Sequence, residues 1–188
     1  MGNLTLANQL TILRIMLIPA FVLLVLYDRL GAALVTFLVA GITDALDGII
    51  ARRAGQRTNL GAWLDPMADK LLLVTTFVIL TLPGIALTNH LPVWLTVLVI
   101  SRDVVIVAVV AIVSLAIGPR TFVPSIWGKM TTATFIVTSV VVMYFNWLRQ
   151  TSVIVDLFVW ASLALTVISS ADYFMKLRRL INEPPPAA

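Results

Sequence analysis

Residues 31–51, GAALVTFLVAGITDALDGIIA, and residues 60–83, LGAWLDPMADKLLLVTTFVILTLP, decide how this chain is read. As a helix, each is long enough to cross about 30 Å of hydrocarbon at ~1.5 Å rise per residue. Each also carries two aspartates near the end that meets the polar run 52–59: Asp44 and Asp47 in the first, Asp65 and Asp69 in the second. Ionisable groups inside a span are costly and mark function by default. Four of the nine acidic residues fall in these two segments, a concentration that helix packing alone does not explain.

Working outward, the apolar runs continue along nearly the whole chain. Six stretches are predicted to span a membrane, at 10–27, 31–51, 60–83, 91–117, 127–147 and 153–175. A short amphipathic N-terminal segment leads into the first, and the Pro-rich residues 181–188 are expected to form a disordered tail after a single membrane domain over 1–180. The expected fold class is therefore all-α and polytopic. Of 188 residues 60% are hydrophobic and only 12% charged, half the charged share of an ordinary soluble domain at about 25%. That excludes a soluble globular enzyme, and the lack of period-two alternation excludes an outer-membrane barrel. With no cysteine and one histidine, His90, thiolate chemistry and a three-histidine zinc site are excluded as well.

The basic residues give an orientation. Arg52, Arg53, Arg57, Arg120, Lys129, Lys176, Arg178 and Arg179 fall at one set of span ends, and only Arg29 and Arg149 at the other. The positive-inside bias then puts both termini and the 52–59 loop in the cytoplasm, and the protein in the cytoplasmic (inner) membrane.

Asp44 and Asp47 are i,i+3, and Gly48 and Ala51 continue that helix face. Gly61, Asp65 and Asp69 are successive i,i+4 positions on the next helix. The short loop between makes the two helices antiparallel neighbours, so both faces can meet in one partly dehydrated volume. Four carboxylates there cannot all stay ionised without cations. Oxygen-only donors suit hard divalent ions such as Mg²⁺ or Mn²⁺, and four carboxylates are enough to bridge two of them. The small residues Gly48, Ala51 and Gly61 leave room for a ligand, or for close helix packing. Arg52 can reach an anion beside the ions.

Together these residues read Asp44-x2-Asp47-Gly48-x2-Ala51-Arg52-x8-Gly61-x3-Asp65-x3-Asp69. This resembles the signature of the CDP-alcohol phosphotransferase (CDP-alcohol phosphatidyltransferase) family at all eight fixed positions. The resemblance implies a six-span homodimeric transferase with two divalent cations. Its donor would be CDP-diacylglycerol, and its acceptor a small phosphorylated alcohol or a phospholipid. It implies that Asp44, Asp47, Asp65 and Asp69 hold the ions and that Asp69 is also the general base. It further implies that Gly48, Ala51, Arg52, Gly61 and Thr11 bind the nucleotide-bearing donor.

The start Asn8-x-x-Thr11-x-x-Arg14, the run Asp65-Pro66-x-Ala68-Asp69-Lys70 and the ending Asp172-Tyr173-Phe174 are similar to the phosphatidylglycerophosphate synthase branch, whose acceptor is glycerol 3-phosphate. Arg102-Asp103 and Thr131 instead resemble the CMP-forming cardiolipin synthase branch, whose acceptor is phosphatidylglycerol. The expected product is phosphatidylglycerophosphate, with cardiolipin synthesis as the alternative.

Arg102, Arg120 and Lys129 are the remaining basic candidates for an acceptor phosphate. Trp63, Trp94, Trp127, Trp147 and Trp160 read as interface-belt residues, and His90 as a loop surface residue. No feature points to nucleic acid. The competing class is a cation transporter, since membrane aspartates also line ion paths. Against it, the acids gather at one membrane face and no symmetric pair of broken spans appears.

Overall fold

Apolar, Leu- and Val-rich segments satisfy their backbone polar groups internally only as helices when water is absent, and six helices form. The computed structural model describes residues 6–54, 59–117 and 125–182, with side chains described for 9–43, 67–109 and 125–176. The helices are α1 (Leu6–Leu26), α2 (Leu30–Ala54), α3 (Asn59–Thr81), α4 (Val93–Ile117), α5 (Ile126–Trp147) and α6 (Val153–Asn182). No β-strand forms among the described residues; Pro83 and Ile85 make an isolated bridge. The protein is an all-α membrane protein.

By length and composition, the stretches Gln9–Leu26, Ile126–Trp147 and Val153–Lys176 qualify as membrane spans among the described residues. The expected set was six. In α2, α3 and α4 the stretches with described side chains, 30–43, 67–81 and 93–109, are shorter than a full span.

Several boundaries differ from the sequence expectation. The N-terminal lead-in is not a separate amphipathic element from Leu6 onward, because those residues are already the first turn of α1. Arg52 and Arg53 do not start a loop; α2 continues to Ala54, as expected for Ala and Arg, which are strong helix formers. At the other end α6 runs to Asn182. The expected tail from 183 on, Arg57, and the break at Gly118-Pro119-Arg120 lie outside the described residues.

Between helices the turns follow the chemistry of their residues. Asp28 and Arg149 take left-handed backbone conformations, φ 61° and 55°, in the tight α1–α2 and α5–α6 connections. Gly84, at φ 110°, sits where the chain leaves α3, in a region that L side chains rarely adopt.

In α1 and α2 the fully or nearly fully buried side chains Phe21, Val25, Ala33 and Phe37 pack together, and Phe77, Leu80, Leu95 and Phe135 join α3 to α4 and α5. The Phe77 and Phe135 rings meet edge to face at 5.4 Å between centroids. Within a bilayer, apolar burial gives little drive for helix association, so close packing and interhelical hydrogen bonds matter more. The α5–α6 seam has both: Thr138 Oγ1 and Ser162 Oγ are 2.8 Å apart, and Thr131 Oγ1 donates to the Leu165 carbonyl at 3.1 Å.

The end of the bundle formed by the α1–α2 turn, the 82–92 segment and the α5–α6 turn is tied by side chains. Asn146 is fully buried. Its Oδ1 accepts from the Asn89 backbone N–H at 2.7 Å and its Nδ2 donates to the Asn89 carbonyl at 2.9 Å. Asn89 Nδ2 in turn donates to the Gln150 carbonyl at 2.7 Å. Arg149 pairs with Asp28 and donates to the Ala86 carbonyl. Stripping partners from buried polar groups costs about 1–3 kcal/mol each. Asn146→Ala is therefore expected to lower thermal stability in detergent by about 2 kcal/mol or more, with Gln150→Ala, an exposed side chain, near wild type. A thermal unfolding series on the two variants checks this, and equal midpoints would show that the Asn89–Asn146 pair is not a tie.

A candidate active site at one end of the bundle

The end opposite this tie is where α2 finishes and α3 and α5 begin. Asp44 and Asp47 lie within α2, and Asp65 and Asp69 within α3. Helix α1 packs against both α2 and α3, so the two motif-bearing helices share a neighbour. The side chains of Asp44, Asp47, Gly48, Ala51, Arg52, Gly61 and Asp65 lie outside the described residues. Asp69 is the member of the quartet whose side chain is described.

Asp69 is half exposed and accepts a 2.6 Å hydrogen bond at Oδ1 from Arg14 Nη1. Arg14 is completely buried in α1, as is Thr11 one turn before it. A guanidinium held in that position meets a carboxylate because an unpaired buried charge would be far costlier. Arg14 was visible in sequence only as part of the Asn8-x-x-Thr11-x-x-Arg14 pattern. Its partner was not legible, because an α1–α3 contact 55 residues apart in sequence leaves no periodic trace.

One residue beyond Asp69, Lys70 turns to the other side of α3 and hydrogen-bonds Asp103 of α4. Asp103 also accepts from Arg102 Nη1 at 3.1 Å. Arg102 is 8% exposed. Its Nη2 donates to Ser169 Oγ of α6 at 3.0 Å, and its guanidinium carbon lies 5.9 Å from the Tyr173 ring centroid, within cation–π range. Its Nε is buried and has no hydrogen-bond partner.

Lys70, Arg102 and Lys129 line one cleft of about 520 Å³ together with Asp103, Gly128, Thr132 and Tyr173. Three cations against one carboxylate make it basic. Gly128 is part of its shape: a Cβ there would sit 3.0 Å from Tyr173 Oη and 3.5 Å from Arg102 Nη2, so glycine lets α5 approach both groups. The Ser125 hydroxyl accepts from the Gly128 N–H at 3.0 Å and caps α5 at that point.

Of the three acceptor-phosphate candidates, Arg102 and Lys129 are therefore brought together, and Arg120 lies outside the described residues. Lys70 and Tyr173 are members that the sequence does not assign to this group; Lys70 pairs with Asp103 of α4. His90 is exposed in the 82–92 segment, as expected. Trp94 and Trp160 form a tilted pair at 5.9 Å, both on the exposed face.

The sequence profile for CDP-alcohol phosphatidyltransferase matches residues 4–168, which includes the aspartate motif, both cleft-bearing stretches of α3 and α4, all of α5 and the first half of α6. The chain belongs to the CDP-alcohol phosphatidyltransferase family. Among individual members of the family, it is 33% identical over 184 residues to the probable phosphatidylglycerophosphate synthase of Mycobacterium tuberculosis, covering 94% of this chain and 83% of that protein. It is 31% identical over 188 residues to the CDP-diacylglycerol–glycerol-3-phosphate 3-phosphatidyltransferase of Bacillus subtilis, covering 91% and 94%. A shorter match, 44% over 107 residues, is to the CMP-forming cardiolipin synthase of Homo sapiens, covering 56% of this chain and 34% of that protein. Membership makes the chain a transferase of phospholipid biosynthesis and removes the cation transporter as a reading.

Proposed function

We propose that the chain transfers the phosphatidyl group of CDP-diacylglycerol to glycerol 3-phosphate, releasing CMP and forming phosphatidylglycerophosphate. One observation carries the acceptor side: Arg102, Lys129 and Lys70 line one basic cleft at the end of the bundle where α3 and α5 begin. The two relatives matched over most of their length carry glycerol 3-phosphate or phosphatidylglycerophosphate in their names.

Asp44, Asp47, Asp65 and Asp69 are the residues to hold two divalent cations, Mg²⁺ or Mn²⁺. Their donor set is carboxylate oxygen alone, which fits hard cations. Bound there, such ions neutralise the diphosphate and stabilise charge on the transferring phosphoryl group. The rest falls to the chain itself. Gly48, Ala51, Arg52, Gly61 and Thr11 receive the donor's nucleotide end. Asp69 takes the proton of the attacking hydroxyl as the new P–O bond forms and the bond to CMP breaks. Arg14 fixes the Asp69 carboxylate from behind. Arg102 and Lys129, with Arg120 as a further candidate, hold the acceptor phosphate. The Lys/Arg bias places this end and both termini on the cytoplasmic face of the inner membrane. Residues 1–180 act as one catalytic membrane domain, and the enzyme works as a homodimer.

The cardiolipin reading, with phosphatidylglycerol as acceptor, is favoured by Thr131 and by the Arg102-Asp103 pair. The deciding experiment measures CMP release by purified protein with CDP-diacylglycerol, offering glycerol 3-phosphate and phosphatidylglycerol in parallel. Glycerol 3-phosphate is expected to be the faster acceptor at matched saturation, and a faster rate with phosphatidylglycerol would reverse the choice. In the same assay EDTA is expected to abolish CMP release, and added Mg²⁺ or Mn²⁺ to restore it. Full activity in a chelated, metal-free preparation would overturn the two-cation site.

A further inference from the structure

Two of the three cations in the basic cleft already have an anion. Asp103 accepts from Lys70 of α3 at Oδ2 and from Arg102 of its own helix at Oδ1, and its side chain is only 12% exposed. Among the described residues Lys129 has no carboxylate partner. The two pairs differ in how firmly they are held. Arg102 is buried and fixed by Ser169 Oγ and the Tyr173 ring as well as by Asp103. Lys70 is half exposed, and its ammonium ends a flexible four-carbon stem with three donors. Lys70 can leave the carboxylate, and Arg102 stays.

We propose that Asp103 determines the charge selectivity of the acceptor site. It is the resident anion of the cleft, and an acceptor phosphate binds by drawing Lys70 away from it while Arg102 remains paired. The proposal rests on the transferase reading and adds to it a residue that works against binding. An incoming anion gains Lys70 and Lys129 and is repelled by the carboxylate left beside it. Coulomb energy scales with charge, so a dianionic phosphate monoester is repelled about twice as strongly as a monoanionic diester. The empty cleft explains why such an anion is present. A buried guanidinium without a counter-charge is far costlier than a paired one, and Asp103 supplies that charge from the neighbouring position on α4.

The test compares wild type, Asp103→Asn and Asp103→Glu, each as the full chain in detergent with CDP-diacylglycerol as donor. Asn keeps the size and one acceptor oxygen and removes the charge, whereas Glu keeps the charge. In Asp103→Asn the KM for glycerol 3-phosphate is expected to fall roughly tenfold, the scale of one like-charge contact at a partly screened site. The KM for CDP-diacylglycerol and kcat should stay near wild type, and Asp103→Glu should behave as wild type throughout. The inhibition constant of glycerophosphoglycerol, a monoanionic diester without acyl chains, should fall only about threefold, because the same interaction acts on half the charge. Binding is also read without turnover. Inorganic phosphate should raise the thermal unfolding midpoint of Asp103→Asn more than that of wild type, since the ion replaces the missing partner of Arg102 and stabilises the folded chain by mass action. An acceptor KM that is unchanged or higher in Asp103→Asn, equal gains for monoester and diester, or equal stabilisation of both proteins by phosphate each overturns the proposal. Should Asp103→Asn fail to fold, Lys70→Gln carries the test. It removes the cation that the phosphate is to draw away, so the acceptor KM should rise with the donor KM unchanged, and an unchanged acceptor KM overturns the exchange. Wild-type protein that releases no CMP with glycerol 3-phosphate overturns the transferase reading instead, and the phosphate stabilisation then decides on Asp103 by itself.

Discussion

Asp44→Asn, Asp47→Asn and Asp65→Asn are each expected to lower CMP release by at least about a hundredfold, because metal stabilisation of transition-state charge is worth several kcal/mol. The change removes one anionic oxygen donor and keeps the side chain's size. A neutral amide near a membrane interface is tolerated better than a charge, so insertion and folding should be preserved, which size-exclusion behaviour in detergent checks. The loss should be partly recovered by raising Mn²⁺, since a weakened ligand set lowers affinity before it removes the site. Asn at Asp69 is expected to behave differently. Its proposed role is proton transfer as well as ligation, so its rate should stay low at saturating metal. Near wild-type turnover in any two of the first three variants at working metal concentration would mean that the quartet does not bind two ions.

What the sequence disclosed about this site depends on the kind of contact. The aspartates were legible because each pair sits on one helix at i,i+3 or i,i+4, and helical periodicity projects such residues onto one face. They also stand out against apolar surroundings, where a charge has no cheap reason to be. The helices themselves were legible from the same contrast, to within a few residues at most ends. Errors fell where local propensity overrode polarity. Arg52 and Arg53 read as loop because they are charged, yet arginine propagates a helix well, and α2 continues through them. The α6 extension to Asn182 is the same error, because Lys176, Arg178 and Arg179 mark the membrane boundary and not the helix end.

Contacts between distant helices were not legible. Arg14 with Asp69, Lys70 with Asp103 and Arg102 with Ser169 link residues 55, 33 and 67 positions apart. No spacing rule reaches across them. Arg102 showed why: as one charge in an apolar run it demanded a partner, and candidates on other spans were numerous. The structure gives it several at once, Asp103 from its own helix, Ser169 and Tyr173 from α6. It also leaves one donor over. Only coordinates reveal such an arrangement.

Arg102→Ala is expected to raise KM for glycerol 3-phosphate by roughly ten- to a hundredfold, from the 1.5–3 kcal/mol of a hydrogen bond between charged groups. The KM for CDP-diacylglycerol and kcat should change little, since an interaction equally strong in ground and transition states appears in KM alone. Arg102 also holds Asp103 and Ser169, so a purely structural role would damage both substrates' parameters together. Lys129→Ala separates the two cases, because Lys129 is exposed and at the mouth of the same cleft. Its loss should raise the acceptor KM without touching stability. The dianionic monoester of glycerol 3-phosphate needs more basic partners than the monoanionic diester of phosphatidylglycerol. The Lys129→Ala penalty should therefore be larger with the monoester than with the diester. A penalty of equal size for both acceptors would place Lys129 at the membrane surface as a positive-inside anchor, and leave acceptor recognition to Arg102 and Lys70.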